Sequence, residues 1–383
     1  MRYVKPDYYD SFRCVADKCP DTCCAGWQIV IDDETLEKYK GDDSYFSDRL
    51  EEGVDWLEGT FVQKQRRCSM LNEKNLCDLI IQKGEGWLCE TCRRYPRHVE
   101  EFEGLREWSL SLSCPVAAEL MLNHLEKVSF LVEEDEKEDP LEEEFDDFDL
   151  LLFTQLEDAR TVIFSIVQNR SIPLQSRLVL LMKMAEAMQL CVDESRFFDM
   201  EEVIRQFEEI AADKISAGKQ ESEREAISDR ETLKKRYERI KSGFCALKDL
   251  ERLREEWTEV LDTAERVLYS DSYKAYEEIY EAFCEEYLTD GENQWDIFME
   301  QILVFFLYTY FCGAVYDDCV YSKVGLAVFS ACFIQEFVMC SWFLADKHID
   351  KRECIKLAYR YAREVEHSDE NLNALEEWLF EVM

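Results

Sequence analysis

Histidine is scarce in this chain of 383 residues. Only His98, His124, His348 and His367 occur, and none is paired with another, which excludes a histidine-rich hydrolytic metal centre. Phosphate-binding loops are missing too, since Gly84-Glu-Gly86 is too short to cradle a phosphate. No dinucleotide fingerprint follows a strand, and no G-x-S-x-G elbow is present. Positive charge is short: 45 Lys and Arg stand against 84 Asp and Glu, a formal charge of −39. Such a surface repels nucleic-acid phosphates and anionic lipid. It suits a cationic ligand or a lysine-bearing partner, though a well-solvated acidic surface has the same composition. The opening MRYVKPDYYDSF lacks the apolar core and cleavage site of a signal segment. The expectation is a cytoplasmic chain in reducing surroundings, where stable disulfides are rare.

Cysteine, by contrast, is abundant. Nine of the seventeen lie between Phe12 and Pro115: Cys14, Cys19, Cys23, Cys24, Cys68, Cys77, Cys89, Cys92 and Cys114. The first four read C-x4-C-x3-C-C, and a C-x2-C pair follows at Cys89 and Cys92. In a reducing compartment this density points to a metal or iron–sulfur centre. Zinc sites use the same thiolates, and spacing alone does not choose between zinc and iron. Ligands are expected from both the Cys19-Cys23-Cys24 loop and the Cys89 to Cys114 segment. Cys92 is favoured over Cys89 because Tyr95-Pro96 restrains the chain after it. The eight later cysteines sit in apolar helical surroundings and read as buried packing thiols.

The fold class expected is mainly α: a small cysteine-rich α+β domain with a metal centre, then a larger all-α domain. Seven of twelve glycines and four of six prolines fall before residue 130, so residues 1–132 turn often. Strands are expected at Trp27–Asp32, Cys77–Gln82 and Leu105–Ser113, a helix at Asp33–Lys40 capped by Asp32 or Asp33, and a helix from Pro115 through Leu131. Residues 133–149 hold twelve acidic side chains and read as a linker. From residue 150 to 383 the pattern is helical, eight to ten helices, with breaks expected near Ser171, Asp193, Gly218, Gly243, Ser270, Gly291, Asp317 and Lys347. Residues 221–254, highly charged, read as an exposed helix pair or a partly mobile stretch. Two apolar stretches, 302–316 and 324–345, read as buried core helices; the second carries Gln335 and Glu336, a costly pair in lipid.

Arg93, Arg94 and Arg97 follow the Cys89–Cys92 pair and form a candidate site for the carboxylate of a cofactor, with salt bridging to Glu100, Glu101 and Glu103 as the alternative.

Several stretches resemble the bacterial flagellin lysine-N-methylases. They are Tyr8-Tyr9-Asp-Ser-Phe12, Cys-x4-Cys-Pro-Asp-Thr-Cys-Cys-Ala-Gly-Trp27, Thr91-Cys92-x2-Tyr95-Pro96-Arg97 and Leu112-Ser113-Cys114-Pro115. Ala314-x2-Asp317 and Glu292-Asn293 match more loosely. The resemblance implies methyl transfer from S-adenosylmethionine to lysines of flagellin by a protein holding a [4Fe-4S] cluster. With no Rossmann motif, the methyl donor then needs an unusual pocket beside the cluster. Lysine must lose a proton before it can be methylated, so a carboxylate or tyrosine is required. Asp21, Tyr95, Glu292 and Asp317 are the candidates. A non-catalytic metal-holding or redox-sensing module is the alternative. No nucleic acid or membrane partner is expected.

Overall fold

The computed structural model describes residues 1–136, 148–217, 225–291 and 294–382, with side chains described outside 213–232. The chain is mainly helical. Two hydrophobic cores organise it, and they do not divide where the composition changes.

The small core lies between Ile29 and Cys92. Ile29, Ile31, Tyr39, Leu50, Phe61, Met70 and Leu79 fill it, with Cys68 and Cys89 buried among them. Its elements are short. The Asp33–Lys40 helix starts where Asp32 accepts a hydrogen bond from the Thr35 amide at 3.0 Å. Two two-residue ribbons pair Val54–Asp55 with Thr60–Phe61 and Gln63–Lys64 with Arg67–Cys68. Trp27–Asp32 is not a strand; it makes one isolated bridge, Val30 to Thr60, and Ala25 just before it makes another to Arg67. Cys77–Gln82 is not a strand either. Cys77 ends the extended chain and Asp78–Lys83 coils into a helix, its acidic first residue favoured by the helix dipole. Six residues with only Cys77, Leu79, Ile80 and Ile81 apolar satisfy either period, and burial of Leu79 against the small core decides.

The second core is large and spans Tyr8 to Leu379. It takes in a four-stranded sheet ordered Arg97–Phe102, Leu105–Leu110, Arg2–Pro6, Phe130–Glu134. The first two strands form a hairpin turned at Gly104, where φ is +69°. Arg2–Pro6 runs parallel to Leu105–Leu110 and antiparallel to Phe130–Glu134. Pro115 opens a helix as expected, but it stops at Leu122. Beyond it, Phe130, Leu131 and Val132 enter the sheet, because the edge beside Arg2–Pro6 offers backbone partners. The sheet is locked to the helices by the buried Arg160–Glu107 pair, 2.6 Å at its Nη1 bond, and by Tyr308, which donates to the Val4 carbonyl at 3.0 Å. Of the expected linker, 137–147 lies outside the described residues.

After residue 148 the described chain is helical. Glu225–Asp249 is one helix, without the break expected at Gly243. That glycine is there for packing: a Cβ would stand 2.4 Å from the Phe333 ring. Trp295–Asp317 and Val320–Leu344 are long and apolar enough to cross a membrane, yet 83% and 89% of their apolar windows are buried among other helices. Glu336, fully buried, accepts from Tyr269 and Tyr276 at 2.9 and 3.1 Å and pairs with Arg236 at 2.6 Å.

Candidate functional site at the thiol lobe and its cleft

All seventeen cysteines are free thiols. The backbone gathers the nine early ones into two neighbourhoods. In the first, the Cys68 amide donates to the Cys24 carbonyl at 2.9 Å, and Leu71 bridges to Cys77. Cys89 and Cys92 pack on the same small core as Cys24, Cys68 and Cys77. The second joins Cys14, Cys19, Cys23 and Cys114: Cys23 lies within electrostatic reach of Cys14 and Cys114, and Cys114 of Cys19. Two thiol–thiol hydrogen bonds share protons. Cys23 holds its proton and pushes Cys24 down to about 7, and Cys92 does the same for Cys89, which is lowered. Burial instead raises Cys19, Cys77 and Cys114, and takes Cys68 up to about 12. Among the described residues, no three His, Cys, Asp or Glu side chains close around a point as ligands of one ion.

The loop carrying Cys19 to Cys24 is clamped from the helical side. Asp21 meets Arg363 at 2.7 Å and Arg254 at 3.3 Å. Arg254 also donates to the Ala25 carbonyl at 2.6 Å, and its guanidinium lies where a Cβ on Gly26 would stand. Arg363 reaches the carbonyls of Asp21 and Ser113, both at 3.2 Å, so one side chain joins the Cys19–Cys24 loop to the turn before Cys114. Asp21 thus sits between two guanidinium groups.

Beside this clamp a cleft of about 500 Å³ opens between lobe and helices. Trp27, Arg94, Tyr95, Arg97, Asp317, Glu366 and His367 are among its walls. Four residues singled out in the sequence therefore meet here: Tyr95, Arg94, Arg97 and Asp317. The Tyr95 hydroxyl lies 3.1 Å from the Ser113 hydroxyl, and its ring stands against Trp27 and His367 at centroid distances of 5.8 and 5.5 Å. Asp317 pairs with Lys323 at 2.6 Å, which also holds Glu376 at 2.7 Å. Arg94 pairs with Glu90 at 2.5 Å, and Arg97 lies over the Phe12 ring. Arg93 turns away to the Leu88 carbonyl at 2.8 Å. Glu292 lies outside the described residues.

Sequence reasoning missed Glu366 and His367. Glu366 ends the Lys351–Glu366 helix, where the dipole disfavours an anion. It accepts from the Ser111 hydroxyl and the Ser113 amide, both at 3.0 Å, and from Tyr310 at 3.2 Å. Burial raises it to about 7 against those donors. His367, 2.8 Å from the Ser113 hydroxyl, is held neutral by burial and by Arg363, its pKa pushed down to about 3. A glutamate on the last turn of a helix, where a cation is the usual choice, was the available signal.

Fold and site together define a helical protein whose thiol-rich lobe closes one side of an aromatic, carboxylate-lined cleft. The profile of the FliB lysine N-methylase C-terminal domain matches residues 160–382, more than half of the chain. The chain belongs to the FliB lysine N-methylase family. It is 28% identical over 129 residues to the flagellar biosynthetic protein FliU of Salmonella muenchen, covering 31% of this chain and 76% of that protein. The lysine-N-methylases of Salmonella typhimurium and Salmonella choleraesuis match at 28% over 129 residues, and the match spans 32% of each. No solved structure matches.

Proposed function

We propose that this protein is a cytoplasmic protein-lysine N-methyltransferase that uses S-adenosylmethionine, acts on flagellin and carries a [4Fe-4S] cluster. The observation that carries the reading is the cleft. In a chain of the FliB family, a cavity walled in part by Trp27, Thr91, Arg94 and Tyr95 of the cysteine-rich segment brings together aromatic rings, carboxylates and two arginines. Aromatic and acidic walls suit an ammonium ion. Arg94 and Arg97 offer planar donors for the carboxylate of the methyl donor, with Arg93 close by in sequence.

The donor set fits the cluster chemically. Thiolates are its ligands, and Cys24 and Cys89 are the thiols whose pKa is lowered. The four proposed ligands are drawn from Cys19, Cys23 and Cys24 on one side and from Cys89, Cys92 and Cys114 on the other. When bound, the cluster supplies cross-links that so small an apolar core lacks. Arg363 and Arg254 keep the Cys19–Cys24 loop against the helices, and Asp21 is their anchor.

Calorimetry with S-adenosylmethionine on anaerobically purified, iron-loaded protein tests the reading. Saturable binding is expected, weakened by Arg97→Ala. Iron-loaded protein that binds no S-adenosylmethionine would be a metal-holding module without turnover.

A further inference from the structure

Five carboxylates line the cleft: Glu100, Asp317, Glu366, Asp369 and Glu376. Asp317 and Glu376 share Lys323, and Glu100 is bonded to His98 at 2.5 Å. Asp369 stands exposed in the first turn of the last helix. Glu366 differs from all four. Two hydroxyls and a backbone amide hold it, from Ser111, Ser113 and Tyr310. Three donors from two places in the fold, the Ser111–Ser113 turn and Tyr310, fix the carboxylate in place, while its helix-terminal position keeps it in the cavity wall. Close by stand Trp27 and His367, ring centroids 4.6 Å apart, with Tyr95 against both.

Resting on the lysine methyltransferase reading, we propose that Glu366 takes the proton from the ε-ammonium of the substrate lysine, which Trp27, Tyr95 and Tyr310 surround in the cleft. The step balances. Glu366 carboxylate gains the proton and becomes a neutral acid, and the lysine becomes a neutral amine. The amine lone pair then forms the new N–C bond to the methyl of a sulfonium donor. The S–CH3 bond breaks with its electron pair passing to sulfur, leaving a thioether and a methylated ammonium. His367 does not compete for this proton, because it is held neutral with Arg363 beside it.

A base of this kind gives a rate that rises with pH through its own titration. Burial lifts Glu366 to about 7, and the donors from Ser111, Ser113, Tyr310 and nearby His98 oppose that lift. Around it stand Tyr310, His367, Tyr95, His98 and Glu100, with Asp317, Lys323, Asp369 and Glu376 on the cavity wall. His98 is the rival source of a limb near neutrality: burial lowers it, but the hydrogen bond and charge of Glu100 outweigh this and raise it.

The experiment is single-turnover methyl transfer to flagellin across pH, with wild type, Glu366→Gln, Tyr310→Phe and His98→Gln, each checked by thermal melting. Wild type should show a rising limb with an apparent pKa near 7. Glu366→Gln should lose roughly 10²–10⁴-fold in rate at neutral pH. Its limb should move toward that of a free amine, about 10.4. Tyr310→Phe removes a donor to the carboxylate, so the limb should persist but move upward. His98→Gln should retain the limb. A Glu366→Gln protein that keeps both rate and limb overturns the proposal alone, as does a limb that vanishes with His98. Wild type that methylates no lysine at any pH overturns the underlying reading, and the proposal with it.

Discussion

Replacing Arg363 with Met should loosen the Cys19–Cys24 loop and the Cys114 turn together. The side chain is 2% exposed and joins three acceptors: the Asp21 carboxylate at 2.7 Å and the Asp21 and Ser113 carbonyls at 3.2 Å. Removing one partner of a buried ion pair costs about 3–5 kcal/mol when the other charge is stranded. Asp21 is not wholly stranded, because Arg254 remains 3.3 Å away. The Ser113 carbonyl does lose its guanidinium donor, worth about 1–3 kcal/mol when buried. The net expectation is a loss of roughly 2–4 kcal/mol. With a urea slope of about 3 kcal/mol/M, that moves the unfolding midpoint down by about 1 M. Tryptophan fluorescence reports it, since Trp27 donates to the Cys23 carbonyl at 2.6 Å and so sits on the loop. Adding Arg254→Met should cost more than the sum of the two single changes, because both arginines serve Asp21. An unchanged midpoint in Arg363→Met, or strict additivity in the pair, would refute the clamp.

Other substitutions probe other links. Gly243→Ala should lose a net 1–2 kcal/mol or so, since overpacking against Phe333 and Trp378 outweighs the roughly 1 kcal/mol of helix propensity gained; a stabilised variant in thermal melts would contradict the packing. Glu336→Ala should cost about 3–5 kcal/mol by leaving Arg236 buried without its partner, whereas a loss below about 1 kcal/mol would show that Tyr269 and Tyr276 do not depend on it. Glu364 is buried and its carboxyl is pushed up to about 7. The folded chain therefore binds more protons there than the unfolded chain between about pH 4.5 and 7, and the contribution of Glu364 to stability falls as pH rises through that window. In denaturation curves Glu364→Gln should change the slope of stability against pH by this one contribution, leaving the part set by Glu366, raised to about 7, and by His367, lowered to about 3 and opposite in sign; an unaltered slope would place the titration elsewhere. Cys23→Ala and Cys92→Ala should lose iron and melt lower, while Cys191→Ala and Cys340→Ala, buried at 3% and 4% exposure in the helical core, should keep full iron. Iron analysis beside melting curves separates the two sets.

Local chemistry made much of the fold legible. Asp32 caps its helix and Pro115 opens one because caps and first-turn prolines act within a few residues. Leu105–Leu110 is a strand as its apolar spacing suggested, but it does not alternate in burial: both faces are covered and Trp108 alone is exposed. The Cys77 run failed because six residues do not fix a period. Gly243 failed because its reason lies in Phe333 and Trp378, far along the chain. The cleft was half legible. Tyr95, Arg94, Arg97 and Asp317 carried motif or charge signals, and the fold brings them together. Glu366 carried only the weak local signal of an anion on a helix's last turn, and the serine it meets is 255 residues away. A charge on an amphipathic helix looks solvated until the partner face is known.

The central claim is that this chain moves a methyl group from S-adenosylmethionine to lysine side chains. The most direct measurement is peptide-level mass spectrometry of flagellin after incubation with the pure, iron-loaded protein and isotopically methyl-labelled S-adenosylmethionine. The account predicts labelled methyl groups on lysine side chains, absent without the enzyme and sharply reduced with Glu366→Gln. Flagellin whose lysines carry no labelled methyl after prolonged incubation with cluster-replete protein would contradict it.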